Sequence, residues 1–329
     1  MLPRSKPEDI VPKFLPAVAL ALVTAAAAAQ VTVQEYRLPS GVGAHDVWAD
    51  ASSDGPVWFS AQRSGQLGRL DPKTGKVEMT DLGPGSSPHG VIAGADGAPW
   101  LTDSGQNAIV RFDPKTKQVK KWPLPKARGY ANLNTATFDP AGMHWFTGQS
   151  GIYGRLDPRS GDLKVFDAPK GRGPYGIHVT PEGVLYYASL AGSHIARIDA
   201  ATFAATVIEP PTKGQGARRV WSDSKGIVWV AEWNSGQLSR YHPKTGAWAQ
   251  WKAPGASPRV YAVYVDERDK VWVSEWAEQL MLRFDPVTEK FEAFGSSSAR
   301  ADVRQIHGRK GEVWTPESAA DKLVVYRYK

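Results

Sequence analysis

The sequence predicts an all-β fold, a seven-bladed β-propeller with four antiparallel strands per blade and a ring that the N-terminal strand closes. Three observations predict it. A turn phrase recurs about every 43 residues, an aromatic residue recurs in phase upstream of that phrase, and the last repeat lacks a strand that the N-terminal segment can supply. Short-stranded units with such a period are typical of propellers and solenoids. We therefore treat residues 30–329 as one propeller domain.

The turn phrase is an arginine, an apolar or aromatic residue and an aspartate, followed by proline. Its six copies begin at Arg69, Arg111, Arg155, Arg197, Arg240 and Arg283, although the fourth ends in Ala200 and the fifth has His242 in place of aspartate. Aspartate can bond to the turn backbone and proline fixes φ, so the phrase suits a tight turn between strands. The in-phase aromatics are expected to pack between neighbouring sheets: Trp58, Trp100, Trp145, Tyr186, Trp229, Trp272 and Trp314.

The two ends of the repeat array predict a closed ring. In the second repeat, residues 89–94, 98–103, 108–113 and 118–124 have the pattern of four strands. The last repeat stops after its third strand, at residues 322–329, and residues 31–39 resemble the fourth strands of other repeats. The N-terminal segment is therefore expected to complete the last blade, which removes two unpaired sheet edges.

Composition and the N-terminal segment restrict the protein class. The chain has 329 residues, no cysteine and a formal net charge of +7. The lack of cysteine excludes disulfides, thiolate metal sites and a cysteine nucleophile. The basic excess is spread along the chain, so we expect no nucleic-acid partner. Residues 1–29 have a basic start, an apolar stretch too short to span a bilayer and a small-residue end, which is typical of a signal peptide. We expect a monomer without a membrane span, in the periplasm or secreted.

One position per blade is expected to line the central channel at the start of the inner strand. It lies eleven residues before the in-phase aromatic in blades two to six, thirteen in the first blade and ten in the last, and every occupant is polar or amphipathic. We call this set the channel ring: His45, His89, Asn134, Tyr175, Arg218, Tyr261 and Arg304. Two interpretations stay open, a wet channel that needs hydrogen-bonding groups and a binding face for a small-molecule or peptide ligand.

A second set of positions, three residues after each aromatic, places acids in the last three blades at Glu232, Glu275 and Glu317. Asp302 adds a carboxylate in the last blade. Because the last blade meets the first, Asp302 and Glu317 are expected near His45, where they would hold a divalent cation such as Mg²⁺ or Ca²⁺, or tune a general base. Repeated acids also often pair only with nearby arginines, and that interpretation stays open.

Four phrases carry a family resemblance. Ser87-Pro-His-Gly-Val91, Pro99-Trp-Leu-Thr-Asp103, Pro174-Tyr-Gly-Ile-His178 and Trp229-Val-Ala-Glu232 resemble the repeat of streptogramin B lyases, also called virginiamycin B lyases. The resemblance extends over residues 31–329. It implies a seven-bladed propeller that linearises a cyclic depsipeptide antibiotic by Mg²⁺-dependent elimination. In that family a last-blade histidine removes the proton α to the ester carbonyl, a histidine of the preceding blade binds substrate, and two last-blade acids hold the metal.

The resemblance places the two acids on Asp302 and near Glu317, the base on Arg304 and the substrate histidine on Tyr261. Arginine stays protonated at any working pH and cannot abstract a proton. The family mechanism is therefore not expected to transfer intact. Our hypothesis is that His45 serves as the base.

In that hypothesis His89 and the rest of the channel ring hold the substrate. The other histidines, including His178 and His307, are expected to be structural.

Three functions remain open at this point. The first is a metal-assisted lyase that acts on an ester or a related small molecule. The second is a non-catalytic exported binding propeller. The third is a gluconolactonase-like lactonase, in which Asn132 or Asn134 together with Glu232 would hold Ca²⁺.

Overall fold

The computed structural model describes residues 31–329, which form seven four-stranded antiparallel sheets. The signal peptide predicted at residues 1–29 lies outside the described residues. The strands are numbered β1 to β28 along the chain. The inner strands, nearest the axis, are β2 (Ala44–Ala49), β6 (Pro88–Ala93), β10 (Leu133–Phe138), β14 (Pro174–Val179), β18 (Ala217–Ser222), β22 (Val260–Val265) and β26 (His307–Arg309).

The other strands follow outwards in each sheet. The second strands are β3 (Val57–Ala61), β7 (Pro99–Asp103), β11 (His144–Gly148), β15 (Leu185–Ser189), β19 (Val228–Glu232), β23 (Val271–Glu275) and β27 (Glu312–Glu317). The third strands are β4 (Gln66–Leu70), β8 (Ala108–Phe112), β12 (Ile152–Leu156), β16 (His194–Ile198), β20 (Gln237–Tyr241), β24 (Leu280–Asp285) and β28 (Lys322–Arg327). The outer strands are β5 (Val77–Asp81), β9 (Val119–Pro123), β13 (Leu163–Asp167), β17 (Ala205–Ile208), β21 (Trp248–Lys252), β25 (Lys290–Gly295) and β1 (Thr32–Arg37). One short 3₁₀ helix, Lys126–Arg128, follows β9.

The N-terminal strand closes the ring, as the sequence predicts. β1 pairs antiparallel with β28, from Thr32 opposite Arg327 to Arg37 opposite Lys322. The ring of Tyr36 stacks on Trp314 with centroids 5.5 Å apart, and its hydroxyl donates to the Pro72 carbonyl at 2.9 Å. The seven-bladed fold and its closure are therefore confirmed.

The in-phase aromatics form the packing between blades. All seven are buried, and Trp145, Trp229, Trp272 and Trp314 are among the largest wholly buried side chains. The indole N–H of Trp145 donates to the Asp139 carboxylate at 2.8 Å, which ties the aromatic to the hairpin turn of its own blade. These residues are structural, because apolar burial of this size is the main force that holds neighbouring sheets together.

A β-bulge interrupts six of the inner strands at the same point. The pairing register shifts between Ala44 and Val47 in the first blade and at the equivalent place in blades two to six. In blade seven the equivalent segment pairs only through a bridge between Val303 and Glu317. A bulge bends its strand and re-aims the side chains there, and the channel ring lies at these bulges. Within residues 31–329, no helix has the length and apolar character that crossing a bilayer requires.

Candidate functional site

The channel-ring side chains converge on the axis. The imidazoles of His45 and His89 have centroids 3.8 Å apart, and the Asn134 amide lies 3.0 Å from Nε2 of His89. Across the channel, the hydroxyls of Tyr175 and Tyr261 are 2.6 Å apart. Residues separated by up to 86 positions in the chain are thus in direct contact. The predicted convergence of these side chains is observed, while their proposed roles remain predictions.

Positive charge and aromatic rings alternate on the opposite side of the ring. The Arg218 guanidinium carbon lies 3.5 Å from the centroid of Tyr261 and 4.6 Å from that of Trp233. Arg304 lies over Trp276 at 5.0 Å, and Trp276 stacks on Tyr261. Cation–π contacts hold the two guanidiniums in place without neutralising them. This face therefore presents cations suited to an anionic or carbonyl-bearing ligand.

A buried ion pair lies directly behind the channel ring. Arg219 of blade five donates to both carboxylate oxygens of Asp46 in blade one, at 2.8 and 3.2 Å, and to Thr135 of blade three at 3.0 Å. Three blades therefore meet across the axis and block the channel. This ion pair was not predicted from the sequence. Its only signal is that Asp46 and Arg219 each follow a channel-ring residue.

Asp46 also orients His45. Nδ1 of His45 lies 2.8 Å from Oδ1 of Asp46, and since a carboxylate held by Arg219 is an acceptor, Nδ1 carries the proton. Nε2 is then the unprotonated nitrogen. Burial lowers the pKa of His45 well below its ordinary value, and the cations Arg304, Arg219 and Arg218 lower it further. His45 is neutral at physiological pH and is in the form a general base needs.

The acids three residues after the aromatics serve the backbone and nearby hydroxyls. Glu317 accepts from the Ser296 and Ser298 hydroxyls, each at 2.6 Å. Glu275, at the same register of blade six, accepts from the backbone N–H of Arg259 at 2.7 Å. Glu232 is held by the side chains of Ser235, Ser239 and Gln250. In blades six and seven this register therefore fastens the loop that enters the blade, whereas in blade five it bonds to the later strands of the same sheet.

Both carboxylates of the predicted cation site have partners of their own. Both oxygens of Glu317 already accept hydrogen bonds, and Asp302 is paired with Arg300 at 3.0 Å. Among residues 31–329, the three acidic or histidine ligand atoms that lie within 4.8 Å of one another belong to His45, Asp46 and His89.

That second group also suits a cation poorly. Asp46 is shared with Arg219, and the guanidiniums that disfavour a proton on His45 and His89 disfavour a metal ion there in the same way. The Mg²⁺ or Ca²⁺ site stays a prediction.

Comparison with known families places the chain. The model of the virginiamycin B lyase family matches residues 21–281. The chain belongs to the virginiamycin B lyase family. The resemblance read from the repeat phrases is therefore confirmed. Among curated proteins, the comparison found no match.

Solved structures of virginiamycin B lyases share the fold. The selenomethionine-substituted enzyme from Staphylococcus aureus superimposes with a TM-score of 0.83 at 20% identity, over 91% of this chain and 99% of that one. A catalytically inactive variant of the S. aureus enzyme with quinupristin gives 0.82 at 21% identity, over 91% and 99%. The extracellular domain of a hybrid two-component system from B. thetaiotaomicron gives 0.70 at 13% identity, over 88% of this chain and 41% of that one.

Proposed function

We propose that this propeller is a carbon–oxygen lyase whose channel ring binds a small ester, with His45 as the general base. The observation that carries the proposal is the contact of His45 Nδ1 with Asp46 at 2.8 Å, beside a face that presents Arg218 and Arg304. A carboxylate that fixes the tautomer of an imidazole and leaves its other nitrogen free is a recurring arrangement in general-base catalysis. Membership of a lyase family supports the reaction type.

The step that these residues support is an elimination. Nε2 of His45 takes the proton from a carbon next to a carbonyl, and the electron pair of the broken C–H bond forms a C=C bond. The C–O bond to the β oxygen breaks, and the acyloxy group leaves as a carboxylate. Arg304 and Arg218 offset the negative charge that develops on the carbonyl oxygen and the leaving carboxylate. His45 then returns its proton to solvent.

The lowered pKa of His45 determines how the base works. A neutral imidazole is available down to acidic pH, but a low pKa also makes it a weak base. Burial is the largest cause of the low pKa, and the arginines lower it further. The negative charge that develops on the carbonyl oxygen as the proton leaves offsets these arginines, which favours the protonated imidazole at that stage.

The test is product analysis with quinupristin and with simple β-acyloxy esters. Elimination opens a cyclic ester without a change of mass, whereas hydrolysis adds the mass of one water. We expect His45→Ala to lower turnover by about 10²–10⁴-fold. His242→Ala, in an outer turn, is the matched control and should leave turnover unchanged. Full turnover in His45→Ala would remove His45 from the mechanism, and a product with added water would replace lyase by hydrolase chemistry.

A non-catalytic binding propeller is the second candidate, and the cation–π packing of Arg218 favours it. A guanidinium held over Tyr261 and beside Tyr175 is a preformed site for a carboxylate. This candidate predicts ligand binding that weakens with salt and no conversion of the bound ligand. Detection of a reaction product would exclude it. The lactonase alternative gains no support, because Glu232 is held by three side chains of its own blade.

We also propose that the chain is exported, with residues 1–29 removed. N-terminal sequencing of the protein recovered from the periplasm or medium tests this. A mature chain that begins near residue 30 is expected, and an intact residue 1 in the cytoplasm would contradict it.

A further inference from the structure

A cavity lies on the axis behind the ion pair between Asp46 and Arg219. It encloses about 210 Å³, and its walls come from parts of the inner strands that follow the channel-ring positions, such as Ile92 and Thr137. Trp48 and His307 line both this cavity and a surface groove, so the cavity faces the end of the channel opposite the ring. An apolar cavity of roughly 150 Å³ accommodates benzene, so this volume suits one or two fused rings.

Two flat stacks form the walls of the cavity. The imidazole of His307 stacks on the indole of Trp48 with centroids 3.9 Å apart, and His178 stacks on Trp221 at 4.1 Å. Tyr264 packs against Trp221 at 5.0 Å. Aromatic walls of this kind favour a planar guest, since offset stacking adds to the burial of apolar surface.

The walls carry no net charge at neutral pH. Burial lowers the pKa of both His178 and His307 from 6.5 to about 3, so both imidazoles are neutral. Asp46 and Arg219, which form the floor, offset each other. An ion would lose its hydration here without gaining a partner of opposite charge, so the cavity favours an uncharged molecule.

Two side chains that line the cavity, His307 and Gln305, have a hydrogen-bond donor left over. Nδ1 of His307 accepts the backbone N–H of Ala49 at 3.1 Å, which places the ring proton on Nε2. The side-chain oxygen of Gln305 accepts the N–H of Val47 at 2.8 Å, which leaves its NH₂ group to donate. A ligand that satisfies these donors must supply an acceptor.

We propose that this cavity is a second ligand site, for a small, planar, uncharged aromatic molecule with a ring nitrogen or carbonyl acceptor. We call it the rear site. The pair between Asp46 and Arg219 lies between it and the channel ring. Ligand binding at the rear site can therefore be measured without turnover at the channel ring.

Quinoline and naphthalene are matched probes for the rear site. They have the same shape, and only quinoline has an acceptor. Titration of the protein at pH 7.5, followed by calorimetry and saturation-transfer NMR, should give a Kd for quinoline on the order of 10⁻⁴ M. Naphthalene should bind about tenfold more weakly, since it leaves a buried donor without a partner. No binding of quinoline, or equal binding of the two probes, would overturn the proposal.

Variants locate the binding. Thr137→Trp fills the cavity and should abolish quinoline binding, whereas Thr116→Trp, on an exposed turn, should not. Ala93→Trp, at the mouth, replaces the first variant if that one does not fold. Arg304→Ala alters the other end of the channel and should leave quinoline binding unchanged. Binding that survives both filling variants, or that Arg304→Ala removes, would place the probe elsewhere and refute the rear site.

Discussion

His144 makes the stability of this propeller sensitive to acid. It is the first residue of β11 and is wholly buried, and neither ring nitrogen has a hydrogen-bond partner in the described part of the protein. The rings of Phe138 and Trp100 lie 5.1 and 5.5 Å away. Burial lowers the pKa of His144 from 6.5 to about 3. In the unfolded chain, the same side chain takes up a proton near its ordinary pKa.

The sign and size of the effect follow from these two pKa values. Below about pH 6.5 the unfolded state binds a proton that the folded state excludes, so acid favours unfolding. The stability is fully present above the unfolded pKa and is lost as the pH falls towards the folded pKa of about 3. A pH of 5 lies about 1.5 units below the pKa of the unfolded side chain. At about 1.36 kcal/mol per unit, protonation of the unfolded state lowers the free energy of unfolding by about 2 kcal/mol.

His144→Phe removes this titration and keeps an aromatic ring in the site. The free energy of unfolding is measured in urea at pH 7.5 and pH 5.0 for the variant and the wild type. The difference, variant minus wild type, should be about 2 kcal/mol larger at pH 5.0 than at pH 7.5. Tyr187→Phe is the matched control. It also removes a buried polar atom without a partner in the described part of the protein. Burial raises the pKa of Tyr187, so the difference in free energy of unfolding between this variant and the wild type should be the same at pH 5.0 and pH 7.5. If the difference in free energy of unfolding between His144→Phe and the wild type is the same at both pH values, His144 does not cause the acid sensitivity.

Three further outcomes follow from the structure. Tyr36→Ala should lower the free energy of unfolding by about 3–5 kcal/mol. The side chain of Val33, in the same strand, is 49% exposed, so Val33→Ala should lower it by less than about 0.5 kcal/mol. Equal losses in urea titrations would show that β1 contributes no specific packing. Asp46→Asn leaves the buried Arg219 without its counter-charge and should cost about 3–5 kcal/mol; a loss below about 1 kcal/mol in the same assay would contradict the ion pair. Millimolar Mg²⁺ or Ca²⁺ should leave Tm unchanged, because Glu317 already accepts two hydroxyl hydrogen bonds; a rise in Tm that Glu317→Gln abolishes would support the predicted metal site.

The sequence predicted the fold because the fold is a repeated local pattern. Turn aspartates and in-phase aromatics act within one blade or between neighbours, so their spacing alone predicts where they lie. The channel ring was found by the same count, since equivalent positions in a closed ring meet at the axis.

The parts that sequence reasoning missed depend on contacts across the ring. Asp46 and Arg219 are 173 positions apart, about four repeats, so the period places them at the same register of blades one and five. It does not predict that these two side chains meet across the axis. His178 and His307 were expected to be structural, yet both line the cavity behind the ion pair. Their role depends on the angle at which each inner strand leaves its bulge, and residue type does not encode that angle.

The pairing of β1 with β28 has a consequence for biogenesis. Strand Thr32–Arg37 is synthesised before every other strand of the ring, and its partner Lys322–Arg327 after all of them. Hairpins of the early blades can form while later blades are still missing, but the sheets remain an open arc until β28 is present to pair with β1. For that whole interval the first blade lacks the seventh blade as a neighbour, so chaperones that cover apolar surface should bind most to chains that do not yet include β28.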